Sequence, residues 1–150
     1  MSNRIYTSRR MAIITALAGK LRTINGSGSF RSDVSQNVSE RLLFWDEVKD
    51  FPAVHLNAGT ETRVYQAGGY KDRFMNVTIR IYVQEENATY ALEKVIEDVE
   101  TVLEDNSRLA YTDQDGVVQY TQQISILSID TDEGVLDPLG VAELSCEVRY

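Results

Sequence analysis

The stretch Met75-Asn-Val-Thr-Ile-Arg-Ile-Tyr-Val-Gln84 alternates strictly between side chains of two kinds, apolar and more polar. Because successive side chains of a strand point to opposite faces of a sheet, this pattern predicts a β-strand with one buried face. Asn87 follows as a suitable N-cap, and apolar residues then recur at three- and four-residue steps up to Leu103, as they do on the buried face of a helix. A strand followed at once by an amphipathic helix indicates a domain that combines a sheet with helices.

The N-terminal half adds a second helix and weaker strand signals. Residues 8–24 have the apolar spacing of a helix, which Gly26 would end. Residues 30–38 are only weakly patterned and predict at most an edge strand. Residues 53–56 predict a short strand. Residues 57–74 contain three glycines and few aliphatic side chains, so they predict a long loop or a protruding hairpin.

The C-terminal part adds further strands. Asp115-Gly116 suits a tight turn between two short segments in the range 110–123. Apolar residues over 124–129 predict a strand, and strict alternation over 142–150 predicts the last one. The whole order predicts an α+β (mixed α/β) fold in a single domain over residues 1–150, with a mostly antiparallel sheet and two main helices packed on one face.

Composition and charge narrow the range of functions. A chain of 150 residues with 43% apolar residues can bury a core without disulfides or a structural metal. Its net charge of −8 disfavours nucleic-acid binding, and no apolar run approaches the length of a membrane span, so no membrane contact is expected. The charge is uneven, because residues 1–31 hold six basic groups and no acidic one.

The side chains capable of covalent or metal chemistry are few and scattered. His55 is the only histidine and Cys146 the only cysteine, and each lies in a predicted strand, where a structural role is expected. No catalytic, cofactor or metal site is therefore predicted. The enzymatic alternative is a metal-dependent hydrolase, which would need the carboxylates of Asp130, Asp132 and Asp137 to converge.

Two groups of residues are candidates for contacts between protein subunits. The first predicted helix is basic, and the second carries acidic residues that are expected on its outer face. Opposite charges on neighbouring copies favour a head-to-tail ring, although a merely solvated helix face is the simpler interpretation. The candidates on the helices are Arg9, Arg10, Arg22, Glu97 and Asp98. In the 57–74 segment, aromatic and basic side chains of the kind that dominates interfaces are Arg63, Tyr65, Tyr70, Lys71 and Arg73, with a solvated hairpin as the alternative.

The succession of these segments resembles the tail terminator proteins, also called tail completion or minor tail proteins, of long-tailed bacteriophages. The resemblance covers nearly the whole chain and rests on order and spacing more than on any single motif. The segments that carry it are Met11-Ala-Ile-Ile-Thr-Ala-Leu-Ala-Gly-Lys-Leu21, Phe44-Trp45, Phe51-Pro-Ala-Val-His-Leu56, Asn76-Val-Thr-Ile-Arg-Ile-Tyr-Val83, Tyr90-Ala-Leu-Glu-Lys-Val-Ile-Glu-Asp-Val99 and Ala142-Glu-Leu-Ser-Cys-Glu-Val-Arg-Tyr150.

The resemblance implies a structural virion protein without covalent chemistry or a cofactor. Such a protein forms a homo-oligomer, a hexameric ring at the head-proximal end of the virion tail, and is made and assembled in the host cytoplasm. It would contact the major tail tube protein, stop tube polymerisation and dock the head-tail connector protein. DNA would only pass through the channel, and an acidic lining would repel it. A connector (neck) or baseplate protein of related fold is the structural alternative.

Overall fold

The computed structural model describes residues 9–150 and contains two helices and seven strands. The helices are α1 (Arg9–Leu21) and α2 (Ala88–Asp105). The strands are β1 (Val38–Ser39), β2 (Ala53–Tyr65), β3 (Lys71–Gln84), β4 (Ala110–Thr112), β5 (Val118–Tyr120), β6 (Gln123–Thr131) and β7 (Leu139–Arg149). Ser8, where the first helix was expected to begin, lies outside the described residues.

Five strands form one sheet in the order β1-β2-β3-β7-β6. The β2–β3, β3–β7 and β7–β6 pairs are antiparallel, and only the two-residue β1 runs parallel to β2. β3 is the central strand, and its Ile79 lies in register with Leu56 of β2 and Leu144 of β7. The predicted α+β fold with a mostly antiparallel sheet is confirmed.

One hydrophobic core lies between the sheet and the two helices. The apolar residues of β3 and β7 that alternate toward this side are almost fully buried, as the sequence pattern predicted. Ile13, Leu17 and Leu21 complete the core from α1, and the apolar stripe of α2 completes it from the other helix. Asn87 caps α2 as predicted, because its side chain accepts a hydrogen bond from the Tyr90 amide. α1 packs against β2, β4 and β1, whereas α2 packs against β3, β7 and β6.

The 57–74 segment is a β-hairpin rather than an irregular loop. β2 and β3 stay paired from Ala53↔Tyr82 to Tyr65↔Lys71, with one irregularity between Ala58 and Glu61. The turn uses Gly68 and Gly69, whose φ angles of 80° and 83° are unfavourable for other residues.

Two other predictions need correction or refinement. The 30–38 segment is not a strand, since only Val38 joins the sheet and Asp33 forms an isolated bridge with Asn25. The predicted hairpin around Asp115-Gly116 exists as β4–β5, but it forms a separate two-stranded sheet. Among residues 9–150, no helix is both long enough and apolar enough to span a membrane.

Candidate interface for assembly

The tip of the β2–β3 hairpin presents aromatic side chains to solvent. The Tyr70 side chain is 76% exposed and that of Tyr65 is 70% exposed. The Lys71 ammonium lies 6.0 Å from the centroid of the Tyr65 ring, which is a cation–π distance. Arg63 forms an ion pair with Glu61 of the same strand, with a nitrogen–oxygen distance of 2.7 Å. The hairpin therefore brings the predicted interface residues of this segment together.

Tyr150 fixes the base of this hairpin to the rest of the molecule. The guanidinium groups of Arg9 and Arg73 both lie over its ring, at 5.0 and 5.5 Å from the ring centroid. Its hydroxyl donates a hydrogen bond to Glu61 of β2. Burial, together with the neighbouring Glu61 carboxylate, raises the pKa of Tyr150 to about 12, so this hydroxyl keeps its proton at neutral pH.

The basic residues of the first helix have partners within the chain. Arg9 donates to the Tyr111 hydroxyl at 2.7 Å, and Arg10 donates to the Gly59 carbonyl of β2. Arg22, just after α1, donates to the Val38 carbonyl of β1 at 3.3 Å. Arg10 and Arg22 therefore lie along the β1–β2 side of the molecule, whereas Arg9 contacts β4.

The two candidate carboxylates of α2 have different environments. Glu97 is exposed and forms an ion pair with Arg31 at 2.9 Å. Asp98 is only 3% exposed and accepts hydrogen bonds from the Arg31 amide at 3.0 Å, the Ser32 amide at 2.8 Å and the Ser32 hydroxyl at 2.6 Å. The prediction that Asp98 lies on the outer face was wrong, because its carboxylate holds the loop before β1 against α2.

The helix layer is divided by charge. α1 contains Arg9, Arg10 and Lys20 and no acidic residue, whereas α2 contains six acidic residues and one lysine. Since α1 packs against β2 and α2 packs against β3, β7 and β6, the basic helix and the acidic helix lie over different parts of the sheet. Such a molecule has complementary sides for head-to-tail contacts.

His55 and Cys146 are both buried in the sheet. The His55 Nδ1 atom accepts a hydrogen bond from the Leu43 amide at 3.4 Å, and its ring lies 5.2 Å from that of Tyr82. Burial and the nearby Arg80 lower the pKa of His55. Burial raises the pKa of the Cys146 thiol to about 12, which suppresses the thiolate. Both residues have the environments of structural side chains.

Two of the three carboxylates considered for a hydrolase accept hydrogen bonds from backbone amides. Asp132 accepts hydrogen bonds from the Leu136 and Val141 amides, and Asp137 accepts one from the Ala88 amide at the start of α2. Throughout residues 9–150, no three His, Cys, Asp or Glu side chains form a group suited to a metal ion.

Comparison with known proteins identifies the family. A family model described as the bacteriophage tail tube terminator protein matches residues 7–150. The chain is also 32% identical to the tail tube terminator protein p142 of Escherichia phage T5, over 94% of this chain and 92% of that protein. The chain belongs to the bacteriophage tail tube terminator family. The resemblance inferred from the order of the segments is therefore confirmed, and the protein is a structural component of the virion tail.

A solved structure supports the fold independently of sequence. A chain in the virion of a native gene transfer agent particle matches with a TM-score of 0.58 over 93% of this chain and 94% of that one. Only 10% of the aligned residues are identical, so this likeness concerns the fold alone.

Sequence reasoning missed the contacts that position the tail terminator's hairpin and loops. The Tyr150–Glu61 hydrogen bond joins residues 89 positions apart, and no local sequence pattern predicts such a contact. The burial of Asp98 could have been predicted from helical spacing. It lies three residues after Val95 and four before Val102, both of which face the core.

Proposed function

We propose that this tail terminator forms a hexameric ring on the last ring of the tail tube. The ring stops tube polymerisation and offers its other surface to the head-tail connector protein. It occupies the head-proximal end of the tail after assembly in the host cytoplasm, and DNA passes through its centre without specific binding. The proposal transfers to this chain the role given in the name of its relative, a tail tube terminator.

The observation that carries the ring is the separation of charge between the two sides of one molecule. A copy whose basic α1 side meets the acidic α2 side of the next forms a heterologous contact. Repetition of that contact gives a closed ring when the rotation between successive copies closes. A two-fold dimer joined through either side alone would instead bring like charges together. The charge distribution thus favours a cyclic assembly.

The hairpin tip supports a contact with the tube or with a neighbouring copy. Tyr65, Tyr70 and Lys71 lie together there, and exposed tyrosines with a nearby cation are typical of interface hot spots. Arg63 and Arg73 lie lower on the hairpin, where Glu61 and Tyr150 hold them. We therefore assign the tip to docking and the lower part to orienting the tip.

Tail length tests termination directly. In lysates of a virus whose copy of this gene carries an early stop codon, we expect tails of unregulated length, detached from full heads, in electron micrographs. Tails of normal length that only fail to join heads would contradict termination and indicate a connector role.

Charge reversal tests the ring contact. Glu104 is an exposed residue of α2, and Glu104→Lys should weaken the association of copies most at low salt. Glu104→Asp keeps the charge at the same position and is the matched control. Equal association of both variants and the natural protein, measured by analytical ultracentrifugation at two salt concentrations, would remove the charge-based contact.

A further inference from the structure

We propose that neighbouring copies join through the edges of their sheets. The outer edge of β6, over residues 123–127, pairs antiparallel with the outer edge of β2, over residues 60–65, of the next copy. This inference rests on the proposed ring and specifies the backbone contact within it. The occupant of each edge is a second copy of this chain.

Both edges lack a strand partner within the described part of the chain. β6 pairs with β7 on one side, and no strand of residues 9–150 pairs with its other side. β1 pairs with β2 only at Val54 and His55, and the Arg10 side chain donates a hydrogen bond to the Gly59 carbonyl. Unpaired N–H and C=O groups on an edge readily pair with a strand of another molecule.

β6 has one register irregularity, between Ile126 and Ser128, but it lacks the basic residues and prolines that commonly keep sheet edges apart. Its sequence, Gln123-Ile-Ser-Ile-Leu-Ser-Ile-Asp-Thr131, contains no lysine, arginine or proline. Leu127 is 58% exposed and Ile129 is 39% exposed. Asp130 is the one charged residue of this strand. Exposed apolar side chains along an edge that carries a single charge are typical of a strand that another strand covers.

Strand polarity permits the same contact at every interface of a ring. β2, β3, β7 and β6 are consecutive antiparallel neighbours, so β2 and β6 run in opposite directions. A rotation about an axis roughly along the strands brings β6 of one copy beside β2 of the next with antiparallel polarity. The alternation of the sheet therefore continues from copy to copy, and the head-to-tail contact can close.

The charges of the neighbouring elements favour a second copy over an unrelated partner. α1, which is basic, packs near the β2 edge, and α2, which is acidic, extends toward β6. The chain from Gln123 to Pro138 adds Asp130, Asp132, Glu133 and Asp137 at the β6 side and no basic residue. Edge pairing thus brings opposite charges together along the helix layer.

Disulfide trapping tests the contact with the variant Thr62→Cys/Ser125→Cys. Within one molecule the two positions lie three strand spacings apart, about 14 Å, which is beyond the roughly 7 Å limit for a disulfide. Paired edges bring opposite Cα atoms to about 4.5–5.5 Å. Thr60→Cys and Val64→Cys, each combined with Ser125→Cys, cover the neighbouring registers.

We expect oxidised, purified tails carrying one of these variants to give a ladder of cross-linked copies on a non-reducing gel, up to the closed ring. Thr62→Cys/Ser145→Cys is the control, because β7 lies between β3 and β6 and cannot reach another copy's edge. Its copies should remain uncross-linked. Tails that contain the protein and end at normal length, without a ladder in any register, would overturn edge pairing and leave the terminator function standing. Tails that carry no copy even of the natural protein would overturn the proposed function itself.

A second variant avoids cysteine chemistry. Leu127→Lys introduces a charge on the β6 edge. We expect about tenfold weaker association, because the variant no longer buries the leucine side chain in the contact between copies. Val118→Lys is the control, since Val118 is similarly exposed but lies in the separate β4–β5 hairpin. Equal association of the two variants would contradict the proposal.

Discussion

Replacing Asp98 by alanine should destabilise this protein far more than the same replacement at the adjacent Glu97. Three donors converge on the buried Asp98 carboxylate: the Arg31 amide, the Ser32 amide and the Ser32 hydroxyl. Hydrogen bonds to a charged group contribute about 1.5–3 kcal/mol each, but removing the carboxylate also relieves its burial cost. We therefore expect a net loss of about 3 kcal/mol for Asp98→Ala.

Glu97→Ala is the matched control because it removes the same charge from the preceding position of α2. The side chains of its ion pair with Arg31 are 57% and 63% exposed, and such surface pairs contribute at most about 1 kcal/mol. For a chain of this length, 1 kcal/mol corresponds to about 2–4 °C in Tm. Asp98→Ala should thus lower Tm by about 6–12 °C and Glu97→Ala by less than about 4 °C.

Thermal unfolding followed by circular dichroism, with urea unfolding at fixed temperature, measures both variants. Equal losses for the two, or a loss below about 1 kcal/mol for Asp98→Ala, would refute the assignment of Asp98 as the anchor of the loop. A large loss would also show that charge reversal at Asp98 tests folding rather than contacts between copies.

Three further measurements follow from the structure. Burial and Arg80 hold the pKa of His55 below its usual 6.5, so the unfolded chain binds a proton at this site before the folded protein does. The free energy of unfolding should therefore fall as the pH decreases from about 6.5 through the lowered pKa. His55→Gln should flatten this pH dependence in urea unfolding. Gly140→Ala should lower the free energy of unfolding by about 1–3 kcal/mol, because the new Cβ would lie 2.8 Å from a Val83 methyl group. Gly19→Ala in α1 should stabilise the protein slightly, because its Cβ would meet nothing within 4 Å. Calorimetry that ranks the two variants in the opposite order would contradict this reasoning. Cys146 should react with a thiol reagent only after unfolding, and rapid reaction of the native protein would contradict its burial.

The fold was predictable wherever one face of an element is buried and the other is exposed. β3 and β7 alternate because the helices cover only one face of the sheet, and the stripe of α2 follows the same rule. The outer half of β2 lacks this signal. Most side chains from Asn57 to Tyr65 are exposed, so burial imposes no alternation, and the ladder to β3 sets the structure instead.

The residue types of the candidate interface were predictable from the sequence, but the residues that they contact within the molecule were not. Aromatic and basic residues of the 57–74 segment do lie together, because a hairpin brings Tyr65 opposite Lys71. The contacts of Arg9 with Tyr111 and of Arg73 with Tyr150 depend on the tertiary fold, which local sequence does not encode. A basic side chain that looks available in sequence can therefore already be bound within its own molecule.

Strand order turns the uneven charge of the sequence into an asymmetry of the molecule. The positively charged start of the chain forms α1, which packs beside β2, while the acidic α2 connects the central β3 to elements that lead to β6. The basic helix therefore lies over the β2 side of the sheet, and the acidic helix lies over β3, β7 and β6. A contact between like sides of two copies would then be repulsive, and a contact between unlike sides attractive. The same arrangement leaves β2 and β6 with opposite polarity at opposite edges, so the electrostatic and backbone contacts favour the same head-to-tail geometry.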